Sequence, residues 1–168
     1  LARVRFAAVI LAGVALAACK YSFRAGSFPP PHIRTIAIEP FDNETNRFEL
    51  SAELYDQLLR NLPGALGIRT AGADIADAIV RGAIVRYDVV APNYTSPGGG
   101  QAPQVLQRQV SITVRVEIVD LVEDAILWES SSVLGQGEFA EGAPEDGGRR
   151  EAIEILVQRI VDGAQSNW

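Results

Sequence analysis

The clearest feature of the chain is a regular alternation of apolar and polar side chains between residues 105 and 119. The apolar members of this segment are Leu106, Val110, Ile112, Val114, Val116 and Ile118. The positions between them are mostly polar: Gln107, Gln109, Ser111, Thr113, Arg115 and Glu117. Successive side chains of a strand point to opposite faces, so this pattern predicts a half-buried antiparallel strand with one face in the core.

Two other segments repeat their apolar residues at helical spacing, which predicts amphipathic helices. The first helix ends at Pro63 and Gly64, because proline and glycine are typical helix terminators. Its stripe consists of Leu50, Leu54, Tyr55, Leu58, Leu59 and Leu62. The second helix covers residues 149–164, with a stripe of Ile153, Leu156, Val157, Ile160, Val161 and Ala164.

Shorter apolar segments complete the predicted elements. Residues 33–41, 78–90 and 125–133 have the composition of strands, and residues 65–70 suit a short edge strand. Residues 91–104 and 135–148 are rich in proline or glycine, so we expect irregular loops there.

The order β-α-β-β-β-α predicts an α+β fold, a two-layer sandwich. Two helices would pack on one face of a mixed, mostly antiparallel sheet of about four strands, because neither layer can bury its apolar side alone.

The first 18 residues have the features of a secretory signal peptide. Arg3 and Arg5 precede an apolar run from residue 6 to residue 18. This run is shorter than the roughly 20 residues that a membrane-spanning helix needs. The Leu16-Ala17-Ala18-Cys19 segment resembles the bacterial lipobox, which implies cleavage before Cys19 and attachment of diacylglycerol and an N-acyl chain to it. Several acyl chains anchor a protein stably, at about 0.8 kcal/mol per buried methylene. The alternative is that Cys19, the single cysteine, is a small buried apolar residue.

Residues 19–32 form the predicted lipidated tether, with Pro29, Pro30 and Pro31 as a semi-rigid run before the domain at residues 33–168. His32 is the chain's single histidine, and we expect it on the surface, with no second histidine for a metal site.

The charge balance excludes one class of partner. Removal of residues 1–18 takes away two arginines, so 13 basic and 21 acidic residues remain and the formal charge falls from −6 to −8. An acidic domain of this kind lacks the clustered basic face that nucleic-acid binding requires.

Several segments resemble the lipopolysaccharide-assembly lipoprotein family LptE. The resemblance is carried by residues 19–23, 28–38, 41–45, 76–82, 120–121, 126–128 and 150–168. It implies a lipoprotein on the periplasmic face of the outer membrane that plugs the β-barrel LptD, assists its assembly and serves delivery of lipopolysaccharide. Lys20, where lipoproteins retained at the inner membrane would have Asp, agrees with outer-membrane placement by the same resemblance.

No catalytic function is predicted, because the sequence has no nucleophile elbow, phosphate-binding loop or metal-ligand cluster. Two rival classes stay open. One is a lipoprotein of another envelope complex, such as the curli-secretion type, in which a Phe-Asp-Asn turn like residues 41–43 also follows a first strand. The other is a small-molecule-binding or hydrolytic periplasmic lipoprotein.

Three residues are candidates for contact with lipopolysaccharide or the barrel. Arg86 and Arg108 are expected to lie near each other at the mouth of the 91–104 loop, where guanidinium groups could bind a phosphate. The alternative is that Asp88 neutralises one arginine and that water surrounds the other. Tyr94 is a candidate aromatic anchor in the loop.

Overall fold

The computed structural model describes residues 29–95 and 104–166, which form one sheet and two helices. The predicted signal peptide, Cys19 and most of the tether therefore lie outside the described residues. Two long helices and six strands are present in the described part. Their bounds are β1 Thr35–Ile38, β2 Asp42–Asn43, α1 Glu49–Leu66, β3 Arg69–Thr70, β4 Ala78–Thr95, β5 Gln104–Asp120, β6 Ala125–Ala140 and α2 Asp146–Ser166.

The described strands form a mixed sheet in the order β3-β1-β4-β5-β6, with β2 also paired to β4. The three long strands β4, β5 and β6 pair antiparallel, whereas β1, β2 and β3 make short parallel pairs. The expected fold class is confirmed, but the strand number of about four is wrong. Strand β3 lies at one edge of the sheet and falls within residues 65–70, where a short edge strand was expected. Strand β2 was not expected, and at two residues it is too short for a periodic sequence signal.

Both helices pack against the same face of the sheet. The predicted stripes of α1 and α2 share one core with the apolar side of β5, which confirms the inward face predicted from the alternation. The members of this core with no more than 1% exposure include Ile36, Leu54, Leu58, Ile84, Ile112, Ile118, Leu156 and Ile160. On the opposite face, Ala37, Ile79 and Val119 form a small second cluster.

Helix α1 continues past the proline that was expected to end it. Pro63 lies inside the helix, which runs to Leu66 and closes at Gly67, with φ of 68°. The amide of Gly67 donates to the carbonyl of Gly64, and that of Ile68 donates to Pro63. Proline removes one helical hydrogen bond, but Leu62, Pro63 and Leu66 are all buried, and their packing offsets this loss.

The segment at residues 91–104 is more regular than its prolines suggest. Strand β4 continues to Thr95 and β5 begins at Gln104, so the expectation of an irregular segment over this whole range is wrong. The register shifts between Val90 and Asn93, which accommodates Pro92. In this part of β4, its one described partner strand is β5, so its other side is an edge on which a proline is tolerated.

The glycine-rich segment at residues 135–148 is not the expected irregular loop. Strand β6 runs through Gly135 and Gly137 to Ala140, and α2 already begins at Asp146. A Cβ atom on Gly135 would lie 2.1 Å from the carbonyl oxygen of Ala152, and one on Gly137 would lie 2.1 Å from that of Gly148. These glycines therefore allow α2 to approach β6 closely, and they do not provide flexibility.

We predict that Gly135→Ala lowers the free energy of unfolding by about 1–3 kcal/mol, the usual cost of overpacking a core. The added methyl group would meet backbone atoms of α2, which cannot move away as a side chain can. Urea denaturation of both proteins measures the change. The matched control is Gly64→Ala in α1, where a Cβ meets nothing within 4 Å. It should leave stability unchanged or raise it by up to about 1 kcal/mol, and equal effects of the two substitutions would contradict this account.

Candidate functional site

The chain that leads from the predicted lipid anchor is fixed at one end of the sheet by His32. Nε2 of His32 lies 2.5 Å from Oδ2 of Asp120, the last residue of β5. Asp120 is 1% exposed and is the one buried charged residue found among the described residues. Its other oxygen accepts hydrogen bonds from the amides of Val122 and Glu123, at 2.8 and 3.0 Å. The carboxylate therefore closes the β5–β6 turn and binds the tether at the same time.

A second carboxylate, on Asp77, fixes the two residues that follow. Its Oδ2 accepts hydrogen bonds from the amides of Arg34 and Thr35 and from the hydroxyl of Thr35, each at 2.9 Å. The amide of Asp77 donates in return to the Thr35 hydroxyl at 3.0 Å. We call His32, Asp77 and Asp120 the tether clamp. It joins the start of β1 to the start of β4 and the end of β5.

The electrostatics of the tether clamp favour the ionised pair. The hydrogen bond to Asp120 raises the pKa of His32, and the nearby charges of Asp120, Glu123 and Asp77 add to this against partial desolvation. Burial alone would raise the pKa of Asp120, but hydrogen bonds from Glu123, His32 and Val122 outweigh it, and the pKa is lowered. Hydrogen bonds from the amide of Arg34 and the hydroxyl of Thr35 lower the pKa of Asp77.

These shifts define the pH range in which the clamp stabilises the fold. The raised pKa of His32 contributes stability that is complete below about 6.5 and is lost as pH rises through the folded-state pKa. The lowered pKa of Asp120 contributes stability above about 3.9, which is lost as pH falls through its folded-state value. Both contributions are therefore complete together between about pH 3.9 and pH 6.5, and the stabilisation by His32 declines as the pH rises further.

The same residues were tested as a metal site, because His32, Asp120 and Glu123 bring one ligand atom each to within 4.8 Å of one another. Two ligands of one tetrahedral zinc ion stand about 3.3 Å apart, given bonds of about 2.0 Å. Nε2 of His32 and Oδ2 of Asp120 are closer, at 2.5 Å, which is a direct hydrogen bond. Nδ1 of His32 faces a different carboxylate, on Glu123, at 4.0 Å. This geometry fits a clamp and does not fit a shared ion.

The clamp also lacks the geometry of a nucleophilic site. In a catalytic triad, histidine bridges a carboxylate and a hydroxyl or thiol nucleophile. His32 stands between two carboxylates, and its hydrogen bond within the described residues goes to Asp120. The arrangement can hold a chain segment in place but offers no activated nucleophile.

A second polar network joins the two helices to β4. Arg149 is 14% exposed, and its guanidinium binds both carboxylate oxygens of Glu53 at 3.0 and 3.1 Å. Arg47 stacks over the ring of Tyr87 and binds Glu145, which also accepts the Tyr87 hydroxyl. Burial, and then the hydrogen bond to Glu145, raises the pKa of Tyr87. These groups satisfy one another, so the network stabilises the helix layer.

The two arginines singled out in the sequence are not brought together. Arg86 lies opposite Thr113 on the face of the sheet away from the helices. Arg108 has the same parity along β5 as the core residue Val110, so it points to the helix side. Arg108 binds both oxygens of Glu141, at 2.5 and 3.1 Å, whereas Arg86 is 72% exposed with Asp88 at 4.0 Å. The side chain of Tyr94 lies outside the described part of the structure.

The face of β4, β5 and β6 that the helices leave open is mostly polar, apart from the exposed Val90 far from the clamp and the small cluster of Ala37, Ile79 and Val119 near the clamp. Its middle and the part farther from the clamp, which we call its upper part, carry six side chains that are polar or charged: Arg86, Asp88, Gln109, Ser111, Thr113 and Gln136. Towards the clamp, Arg115 binds Glu44 at 3.1 Å and Arg81 binds Glu117. A groove of about 580 Å³ opens between Arg115 and Ser130–Ser131, with Gly82 and Glu129 among its lining residues. We call this surface the open face.

In the described residues, neither helix is both long and apolar enough to cross a membrane. The model of the LptE family, described as lipopolysaccharide-assembly, matches residues 33–163. The chain belongs to the LptE family. The match covers the whole sheet, all of α1, and α2 as far as residue 163, so the resemblance seen in the sequence is confirmed. The LptE family is a non-enzymatic lipoprotein family, and membership indicates an envelope lipoprotein of the lipopolysaccharide-assembly type.

Solved structures match the fold at low sequence identity. The hypothetical protein CT253 from Chlamydia trachomatis is 13% identical, with a TM-score of 0.50 over 79% of this chain and 98% of that one. A homologue of the neuraminyllactose-binding hemagglutinin from Helicobacter pylori is also 13% identical, with a TM-score of 0.50 over 76% of this chain and 80% of that one. At this identity the likeness concerns the fold alone. No curated protein matches the chain in sequence.

We predict that His32 titrates above its ordinary pKa of about 6.5 and that Asp120→Asn removes most of this shift. The chain has a single histidine, so one Hε1 signal is followed in a proton NMR titration and its assignment is unambiguous. Glu123→Gln is the matched control, because its carboxylate is exposed and lies 4.0 Å from the ring; it should change the pKa less. A wild-type value at or below 6.5 would show that the clamp is not an ion pair in solution.

Proposed function

We propose that the chain is an outer-membrane lipoprotein, acylated at Cys19, that plugs an LptD-like β-barrel from the periplasmic side. In this role it assists assembly of the barrel and the delivery of lipopolysaccharide to the outer leaflet. The observation that carries the proposal is the family match over residues 33–163, which includes every element of the described fold.

The shape of the fold supports a plug. Strands β4 and β5 have 18 and 17 residues, and at about 3.3 Å per residue they extend for roughly 55–60 Å. The tether clamp lies at one end of these strands, and the segment that connects them lies at the other. A lipid on Cys19 would therefore hold one end of an elongated wedge near the membrane and leave the other end free to enter a barrel.

The polarity of the open face also supports this role. The lumen of bacterial outer-membrane barrels is polar. Uncharged polar side chains of intermediate exposure, on Gln109, Ser111 and Thr113, lie along β5 on the part of the open face away from the clamp, beside the charged Arg86 and Asp88 and the exposed Val90. Such a surface can form hydrogen bonds with a polar wall and needs no apolar partner to remain soluble before assembly.

Arg86 is the better candidate of the two arginines for contact with a phosphate of lipopolysaccharide. Its guanidinium is largely exposed, and its nearest carboxylate, on Asp88, is at the limit of an ion pair at 4.0 Å. Arg108 already makes a forked pair with Glu141, which occupies the donors that a phosphate would use. Exchange of the Glu141 pair for a lipid phosphate would first require that pair to break.

We predict that a photo-crosslinking amino acid at Gln107 attaches the chain to an outer-membrane barrel in cells. Gln107 is exposed at the upper end of the open face, so it would face the barrel wall. The matched control is the same amino acid at Glu123, which is exposed at the clamp end and should give much less product. Purification of the lipidated chain, followed by mass spectrometry of the partner, identifies the crosslinked protein.

Two results would contradict the plug. One is recovery of a closed ring of this chain without a barrel, as a lipoprotein of a secretion complex would give. The other is equal crosslinking to the barrel from Gln107 and Glu123, which would show that the wedge has no preferred direction.

A further inference from the structure

Exposed apolar side chains are concentrated at the clamp end of the molecule. Six large apolar residues are exposed in the described part of the chain. Four of them lie at this end, with the exposed fraction in parentheses: Ile75 (78%), Leu121 (44%), Val122 (64%) and Ile126 (56%). Isolated exposed apolar residues are common, but several on one small surface indicate a contact.

Backbone contacts bring the segments that carry these four residues together at this end of the sheet. The amide of Leu121 donates to the carbonyl of Asp77 at 2.8 Å, which places the β5–β6 turn beside the loop that carries Ile75. Ile126 pairs with Val119 across the first residues of β6. We call Ile75, Leu121, Val122 and Ile126 the apolar tip.

The apolar tip coincides with the place where the tether enters the fold. Asp120, which binds His32, directly precedes Leu121, and Asp77, which binds residues 34 and 35, lies two positions after Ile75. Twelve residues separate Cys19 from His32, so their maximal reach is roughly 40 Å. Pro29, Pro30 and Pro31 restrict the last part of that span.

The charge of the tip selects the kind of lipid surface. Asp74, Glu123 and Asp124 are exposed beside the apolar residues, and the exposed Arg34, whose amide binds Asp77, lies at the same end, so acidic groups remain in the majority there. Anionic headgroups attract basic segments and would repel these carboxylates. A surface whose headgroups carry no net charge presents the acyl boundary without that repulsion.

We propose that, before a barrel is bound, the apolar tip inserts into the interface of a zwitterionic lipid bilayer, so that the domain is held against the membrane surface and not by its tether alone. The proposal rests on the proposed function only in that Cys19 carries lipid. Side chains at such an interface are buried about 5–10 Å into the boundary between headgroups and acyl chains. Val122, at the turn, would lie deepest.

The test uses the full lipidated chain reconstituted in phosphatidylethanolamine–phosphatidylcholine vesicles without a barrel. Acylated Cys19 has no free thiol, and the chain has no other cysteine, so Val122→Cys provides one labelling site for an environment-sensitive fluorophore. The Val122 amide, which binds Asp120, is kept in this variant. Ile75→Cys gives a second reporter on the same tip.

The matched control is Phe48→Cys, because Phe48 is 88% exposed and is itself large and apolar. It adjoins Arg47, which stacks on Tyr87, about 30 Å along β4 from the clamp. Brominated acyl chains should quench the labels at positions 122 and 75 several-fold more strongly than the label at position 48. Addition of anionic phosphatidylglycerol should weaken the quenching at the tip.

Equal quenching at the three positions, or quenching at the tip that appears only when a barrel is added, would overturn the proposal. So would a blue shift of the tip labels without lipid quenching, which would indicate that the tether or another protein segment covers the tip. Because the vesicles contain no barrel, failure of the plug in the crosslinking experiment would not produce any of these outcomes.

Discussion

Two carboxylates determine at which end of the molecule the tether is bound. Asp77 and Asp120 bind residues 32, 34 and 35 at one end of the sheet, through backbone amides, a hydroxyl and an imidazole. Both carboxylates are hydrogen-bonded, and Asp120 also closes the β5–β6 turn through the amides of Val122 and Glu123. A buried acid is costly unless it is hydrogen-bonded or paired, so these contacts are mutually dependent. The clamp thereby defines one end of the wedge as the end that faces the proposed lipid anchor.

The asymmetry of the sheet determines what the rest of the molecule can contact. Both helices cover one face, and the glycines of β6 let α2 lie directly against the strand. The open face keeps its polar side chains, and two ion pairs, Arg115–Glu44 and Arg81–Glu117, lie across it near the clamp. Exposed pairs of this kind contribute little to stability. These two ion pairs therefore suit the open face for contact with a polar partner and add little to the stability of the fold.

The sequence predicts those parts of the structure that depend on local periodicity. The alternation of β5 and the stripes of α1 and α2 identify the buried faces correctly, because residues that share a face recur at a fixed spacing. Local rules failed where a distant element changes the meaning of a residue. Gly135 and Gly137 suggest a loop in the sequence, but they lie in β6 where α2 packs too closely for a side chain. Pro63 suggests the end of a helix, but α1 continues past it with Leu62, Pro63 and Leu66 buried.

The candidate site was largely invisible in the sequence. His32 and Asp120 are 88 positions apart, and nothing in either neighbourhood indicates the other. The one available signal is that Asp120 interrupts the alternation of β5 at a position that the strand buries. Arg86 and Arg108 were expected to meet because both flank one loop, but the parity of their strands places them on opposite faces. Because successive side chains of a strand alternate between faces, one extra residue in a strand moves every later side chain to the other face of the sheet. The bulge between Ile84 and Arg86 adds such a residue to β4 in this hairpin.

The central claim is that an anchored wedge without chemistry of its own serves the delivery of lipopolysaccharide to the cell surface. The most direct measurement is the amount of lipopolysaccharide accessible from outside, after depletion of this protein in the organism that encodes it. The account predicts a large loss that an unaltered copy reverses and a Cys19→Ala copy does not. Normal surface lipopolysaccharide after complete depletion would contradict the claim.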